Sequence, residues 1–240
     1  PDSPQSKTMV AHIAVTAIKI VENRENCRFR TKNDRHTAQN RRIIPVEGDM
    51  LMMNVLEAIQ NRRSIRRFTD TPVPRDMIET VLEAAIAAPS GKNRQPWQFV
   101  VITEQNKAEM LRLMDDGIAA NPESAKWVQF TRDIMAQAPV NIFVFNPNGE
   151  YPWRSIPTKQ RFQELVDIQS VGAAIENMIL AAEGLGLGTL WICDVFENYD
   201  GFSAWIGNQK QLIAAVSLGY PDEHPDKRGR KGLDKVVTWM

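Results

Sequence analysis

The sequence has only two cysteines in 240 residues, Cys27 and Cys193. They form no C-x-x-C pair, so neither a zinc knuckle nor a disulfide framework is expected, and a reducing, cytoplasmic setting is the expectation. An excess of charge is also missing. The 29 Lys and Arg are matched by 29 Asp and Glu, which leaves no overall basic field to draw in nucleic acid or an anionic membrane, and neither partner is expected. No apolar run of about 18 residues reads as a membrane span, and no charged-apolar-small leader is apparent. The three histidines, His12, His36 and His224, stand at no metal-ligand spacing among themselves or with the cysteines, so no metal site is expected. A G-x-S-x-G elbow and a G-x-x-x-x-G-K-[ST] loop are both absent. The stretch "GLGLG" at Gly184–Gly188 follows a helical pattern and precedes a strand, the reverse of a dinucleotide fingerprint, and reads as a helix C-cap and turn. A chain long enough to bury a sizeable core, without triad or metal, invites a bound cofactor as the source of its chemistry.

The residues that are present divide near position 50. Residues 1–49 combine an alternating stretch, "VAHIAVTAIKI", with a basic polar run from Arg24 to Arg42. The first has the period-2 pattern of a strand. The second reads as a solvated extension rather than a nucleic-acid arm. Residues 50–240 are more regular and read as one domain. "NVLEAIQNRR" has helical spacing at Val55, Leu56 and Ile59. "PRDMIETVLEAAIAAP" opens at Pro74 and closes at Pro89, where a helix cannot comfortably continue. Strands are expected at Gln98–Thr103, Val140–Phe145, Thr189–Asp194 and Leu212–Leu218. Before the third lies a largely buried helix with apolar positions at Ile168, Val171, Ile175, Met178 and Ala182. Helices cluster between strands without strict alternation, which points to an α+β fold.

Three clusters carry the candidate chemistry. "RRSIRRF" (Arg62–Phe68) offers guanidinium forks and a hydroxyl suited to phosphate. "APSGKNRQPW" is a polar loop set between a helix and a strand. "KRGRKGLDK" adds Arg228, Arg230 and Lys231 near the C-terminus.

Together with "AAEGLGLGTLWIC" and "SLGYP", and in this order along the chain, these stretches resemble the FMN-dependent nitroreductases over roughly Val55 to Trp239. The resemblance implies an α+β nitroreductase-like fold, with a central, mainly antiparallel sheet flanked by helices and an intertwined homodimer sharing two FMN sites. On the matching positions, Arg62, Arg63, Ser64, Ile65 and Arg66 hold the phosphate and ribityl end, and Arg228 and Arg230 close over it. Pro89, Ser90, Gly91 and Asn93 reach the isoalloxazine from the other subunit, which explains so polar a loop: a buried pyrimidine edge must meet donors and acceptors. Trp191, Ile192 and Cys193 lie beside the ring, mostly through main chain, although Cys193 and Asp194 stand where many relatives have small residues. Pro96 and Trp97 read as packing. The implied activity is hydride transfer from NAD(P)H to FMN and on to a nitroaromatic, quinone or similar small acceptor in a ping-pong cycle, the flavin rather than a catalytic side chain carrying the chemistry. Deiodinase-like and enoate reductase members share the fold and remain alternatives, as does a non-catalytic flavin-binding protein. The acceptor lid is expected within Asp115–Arg161, where Trp127, Phe130, Tyr151 and Trp153, with the adjoining Phe162, are candidates either to stack on an acceptor or to pack an interface.

Overall fold

The computed structural model describes residues 54–207 and 210–240, and the expectations for residues 1–49 lie outside that range. The described residues belong to one compact unit. In chain order they form α1 (Val55–Asn61), α2 (Arg75–Ile86), β1 (Gln98–Ile102), α3 (Glu104–Ala120), α4 (Ala125–Gln137), β2 (Val140–Asn146), α5 (Thr158–Gly184), β3 (Gly188–Ile192), α6 (Tyr199–Trp205) and β4 (Gln211–Gly219). Short 3-10 turns stand at Gly91–Asn93, Asp194–Asn198 and Leu233–Lys235. The strands make one sheet in the order β1-β2-β4-β3, with every neighbouring pair antiparallel. The α+β reading holds, and all four strands form where the sequence places them. The third ends two residues early, because Asp194 opens a 3-10 turn instead of continuing β3.

The sheet separates two cores. On one face Ile142 and Val144 of β2 pack with Ile78 and Val81 of α2 and with Val171, Ile175 and Met178 of α5. On the other, Phe143 and Phe145 pack with Met110 and Met114 of α3, Met135 of α4 and Phe202 of α6. Strand β2 is therefore buried throughout, which is why "VNIFVFN" is nearly continuous in apolar residues rather than alternating. Each buried Phe contributes about 1.5–3 kcal/mol relative to exposure. The β2–β4 register slips between Val144 and Phe145, whose partners are Ala214 and Leu212. The extra residue inverts the side-chain parity of β4 there, so Leu212 joins one core and Ala214 the other.

Helix α5 starts at Thr158, before the apolar repeat that announces it. It has the length and apolar composition to cross a membrane, contrary to the expectation that no stretch would. Its buried face, Val171, Ala174, Ile175, Met178 and Ala182, is occupied by the sheet and α2, as in a core helix. Three polar residues are buried along the same helix: Glu164, Asp167 and Ser170.

Candidate functional site

The site begins at the C-terminal end of α1. Asn54 starts this short helix with a reciprocal capping box to Glu57, and Arg63 finishes it. The Arg63 Nη1 lies 2.8 Å from the carbonyls of Gln60 and Asn61 and 2.9 Å from that of Arg62, so this guanidinium caps the helix and complements its dipole. Past α1 the chain runs along the edge of β3: Ser64 bridges Thr189 in parallel fashion, and the Ile65 amide donates to the Thr189 carbonyl at 2.9 Å. Ile65 is buried in the core, and a β-carbon on Gly188 would come within 2.8 Å of its side chain. That glycine lets the two segments close.

The chain returns to the same place after β4. Thr69 N–H donates to Tyr220 O and Asp222 N–H to Arg67 O, both at 2.9 Å, and Phe68 bridges Pro221. Glu223 then accepts from the Arg66 amide and lies 3.6 Å from the Arg67 guanidinium. Lys227 donates to the Gln60 side chain. Two basic stretches far apart in sequence are thereby set face to face. They enclose a cavity of about 640 Å³ lined by Arg62, Arg63, Ser64 and Arg66 on one side and Asp226, Lys227, Arg228 and Arg230 on the other.

A second cavity, about 340 Å³, lies beside β3 and α4. It is lined by Leu190, Trp191, Ile192, Cys193 and Asp194, and across from them by Trp127, Phe130, Thr131 and Ile134. Arg66 and Arg228 line both cavities, so the cationic chamber and the aromatic one adjoin at these two residues. The Thr131 hydroxyl donates to the Asp194 carboxylate and ties α4 to the exit of β3. Cys193 is exposed. Partial burial and then the adjacent Asp194 carboxylate push its thiol up from its ordinary value, which favours the protonated form over a nucleophilic thiolate. Glu183, at the end of α5, is also pushed up by burial, against the opposing pull of Arg62 and Arg63.

Of the expected site residues, Arg62, Arg63, Ser64, Arg66, Trp191, Ile192, Cys193, Arg228 and Arg230 are gathered around the two cavities. Ile65 serves the core. Pro89, Ser90, Gly91 and Asn93 line neither cavity; their loop lies against α5. Trp97 packs against the α2–α5 core, as expected. Among the aromatic candidates for an acceptor wall, Trp127 and Phe130 border the second cavity. Tyr151 and Trp153 instead pack around Tyr199, with ring centroids 5.4 and 5.1 Å from it, and Phe162 is exposed on α5. Sequence reasoning missed Glu223, Thr131 and Glu183. A carboxylate two residues past "SLGYP" and an acid in the last turn of an apolar helix were the available signals.

The model of the nitroreductase family matches residues 59–220. A protein of Methanothermobacter thermautotrophicus that carries the name NADH dehydrogenase/NAD(P)H nitroreductase is 29% identical over 197 residues, 80% of this chain and 91% of that one. The NADPH-flavin oxidoreductase of Vibrio harveyi is 27% identical over 190 residues, covering 78% of this chain and 73% of its own. Among solved structures, a nitroreductase-type protein from Desulfovibrio desulfuricans in complex with FMN superposes with a TM-score of 0.59 and 30% identity, over 78% of this chain and 96% of the other.

Proposed function

The chain belongs to the nitroreductase family, and from that premise we propose that it is an FMN-dependent oxidoreductase that uses NAD(P)H to reduce a small electron-poor acceptor such as a nitroaromatic or a quinone. The observation that carries this reading is that the two cavities adjoin at Arg66 and Arg228. A phosphate needs convergent guanidinium and hydroxyl donors, and the first chamber supplies them from Arg62, Ser64, Arg228 and Arg230. A flat ring needs apolar walls with a few polar atoms, and the second supplies Trp191 and Ile192 on one side and Trp127 and Phe130 on the other. The residues present fit FMN in both size and chemistry.

When bound, FMN supplies hydride acceptance from NAD(P)H and electron delivery to the acceptor, in two half-reactions on one face. The chain's own residues bind and orient. Arg62, Ser64 and Arg230 would hold the phosphate, and Arg228 would share that task. Arg66, where the two chambers adjoin, would hold positive charge near the ring and favour its reduced, anionic form. Trp191 and Ile192 of β3, with Cys193 just beyond it, would present main chain to the ring. Trp127 and Phe130 would wall the space left for nicotinamide or acceptor.

The functional unit in this reading is a homodimer. The Ser90–Asn93 loop lines neither cavity of its own chain, and Leu56 of α1 and Phe162 and Leu165 of α5 are exposed apolar residues suited to burial against a second copy. Residues 50–240 form the flavin domain, and residues 1–49 are an extension without a part in the chemistry. The enzyme works in the cytoplasm, where NAD(P)H is supplied, and needs neither nucleic acid nor membrane. The test starts with colour: purified protein should be yellow and should bleach with NAD(P)H under anaerobic conditions. Double-reciprocal plots with varied NAD(P)H and a nitroaromatic or quinone should be parallel. Flavin that NAD(P)H does not reduce would refute the nicotinamide-dependent activity. Reduced flavin that only oxygen reoxidises would favour specialised deiodinase-like or flavin-binding chemistry.

A further inference from the structure

The loop between α2 and β1 holds a shape that its residues do not choose for themselves. Lys92, Asn93 and Gln95 have φ of 54°, 53° and 50°, a left-handed conformation that residues with side chains seldom occupy, still less three within four positions. Gly91 lies so close to α5 that a β-carbon there would overlap Val166. Three hydrogen bonds keep the loop in place. Gln95 N–H donates to Ser90 Oγ at 3.0 Å, Gly91 N–H to Ser170 Oγ at 3.3 Å, and Arg94 Nη2 to Asp167 Oδ2 at 2.9 Å.

Two of these acceptors sit on the buried side of α5. Asp167 is 1% exposed and Ser170 6%. The second oxygen of Asp167 accepts from Gln163 at 3.3 Å, and the Ser170 hydroxyl donates back to the Val166 carbonyl at 2.8 Å. A carboxylate inside a helix interface is unfavourable unless a cation and further donors meet it. Here that cation belongs to the loop, and Arg94 is itself partly exposed.

We infer that Asp167 and Ser170 are positioning residues: acting through Arg94 and Gly91, they hold residues 90–95 in the left-handed shape in which the loop meets the flavin ring. The inference rests on the proposed function for the contact between loop and ring. The pinning itself does not need a flavin, so the two can fail separately.

Asp167→Asn keeps the shape of the side chain and removes its charge. Ser170→Ala removes the acceptor for the Gly91 amide without leaving a buried charge unpaired, and so guards against a misfolded first variant. Amide exchange in the flavin-free protein should speed up about tenfold at Gly91 and at 93–95 in either variant, with β2 unchanged, as expected for loss of one such contact. Affinity for FMN and for riboflavin should fall by the same factor, about tenfold, because the ring is common to both, and the visible absorption band of the bound flavin should shift. Arg94→Lys should retain most of the native spectrum. Native loop exchange in both variants would refute the pinning, whatever the flavin does. A loosened loop with native spectrum and native affinities would refute the positioning role and the loop–ring contact, while leaving the phosphate chamber untouched. Weakening of FMN but not riboflavin would place the loop at the phosphate and overturn the inference. A native protein that binds neither flavin would sink the functional reading and the positioning role together, and the exchange data would show whether the pin existed.

Discussion

Around the basic chamber Arg62, Arg63 and Arg66 are partly buried and Lys227, Arg228 and Arg230 exposed, and several rest on backbone carbonyls close by: Arg230 donates to the carbonyls of Arg228 and Gly229, and Arg66 to that of Ser64. In the Ser90–Gln95 loop the polar atoms are fixed from below by Asp167 and Ser170, and the backbone itself is set in an unusual conformation. One region keeps its side chains free to gather around an incoming anion. The other has its shape settled beforehand. Under the proposed function the contrast is a division of labour, with affinity drawn from the charges and orientation from the loop, since preorganised groups lose little freedom when a ligand arrives.

The sharpest way to break that comparison is to empty the chamber of charge. Arg62→Ala combined with Arg230→Ala should weaken FMN about a hundredfold or more, at about 1.5–3 kcal/mol per charge-assisted contact. Riboflavin should lose much less, as measured by fluorescence titration. Equal losses for both flavins would abolish the distinction between the two regions.

A mixing experiment asks whether the regions serve one site across two chains. After exchange of Arg62→Ala subunits with Asn93→Ala subunits, half of the dimers in a random mixture are mixed and one of their two sites is intact, so about a quarter of native turnover should return. Steady-state rates before and after exchange decide it. No recovery after verified exchange would confine each site to one chain.

Arg63→Ala separates a structural arginine from its neighbours. Loss of the α1 cap should cost about 1 kcal/mol and lower Tm by roughly 2–4 °C, while FMN affinity stays near native. A large loss of FMN affinity would return Arg63 to the binding set.

A smaller effect is expected at Glu183. Burial raises its carboxyl pKa in the folded protein, so the native state holds its proton to higher pH than the unfolded chain does. The associated stability is present below the ordinary carboxylate range and is lost as pH rises through the folded value. Glu183→Gln should therefore melt higher than native at pH 7 and like native below about pH 4. It should also bind FMN slightly more tightly, because a negative charge facing Arg62 is gone. The smallest expected change follows deletion of residues 1–49, which should leave the flavin spectrum and NAD(P)H oxidation near native.

How much of this was legible beforehand follows the same division. Arginines clustered in "RRSIRRF" and "RGRKG" announce their chemistry by residue type, and the four strands announce themselves by apolar runs between turns. The order of motifs along the chain supplied the rest of the chamber. Composition could not show that Arg63 turns back onto α1, because a guanidinium that caps a helix and one that awaits a phosphate are the same letter. Nor could it show the left-handed run at Lys92, Asn93 and Gln95, since none of these is glycine and the conformation is imposed by contacts with α5. Asp167 was visible only as a charge interrupting an apolar helical repeat. Its meaning depended on which loop would lie over it.

The pairing of Arg67–Thr69 with Tyr220–Asp222 also sets a timetable for the newly made protein. The Arg66 amide and its Glu223 partner are separated by 157 residues, and translation at about 5–20 residues per second needs on the order of ten seconds or more to cover that interval. Throughout it the first arginine cluster exists without its counterpart. The basic chamber therefore forms only once the chain through Arg230 has been made, and a nascent chain halted between Gly219 and Pro225 would carry all four strands of its sheet but only one wall of the place where a flavin phosphate would be held.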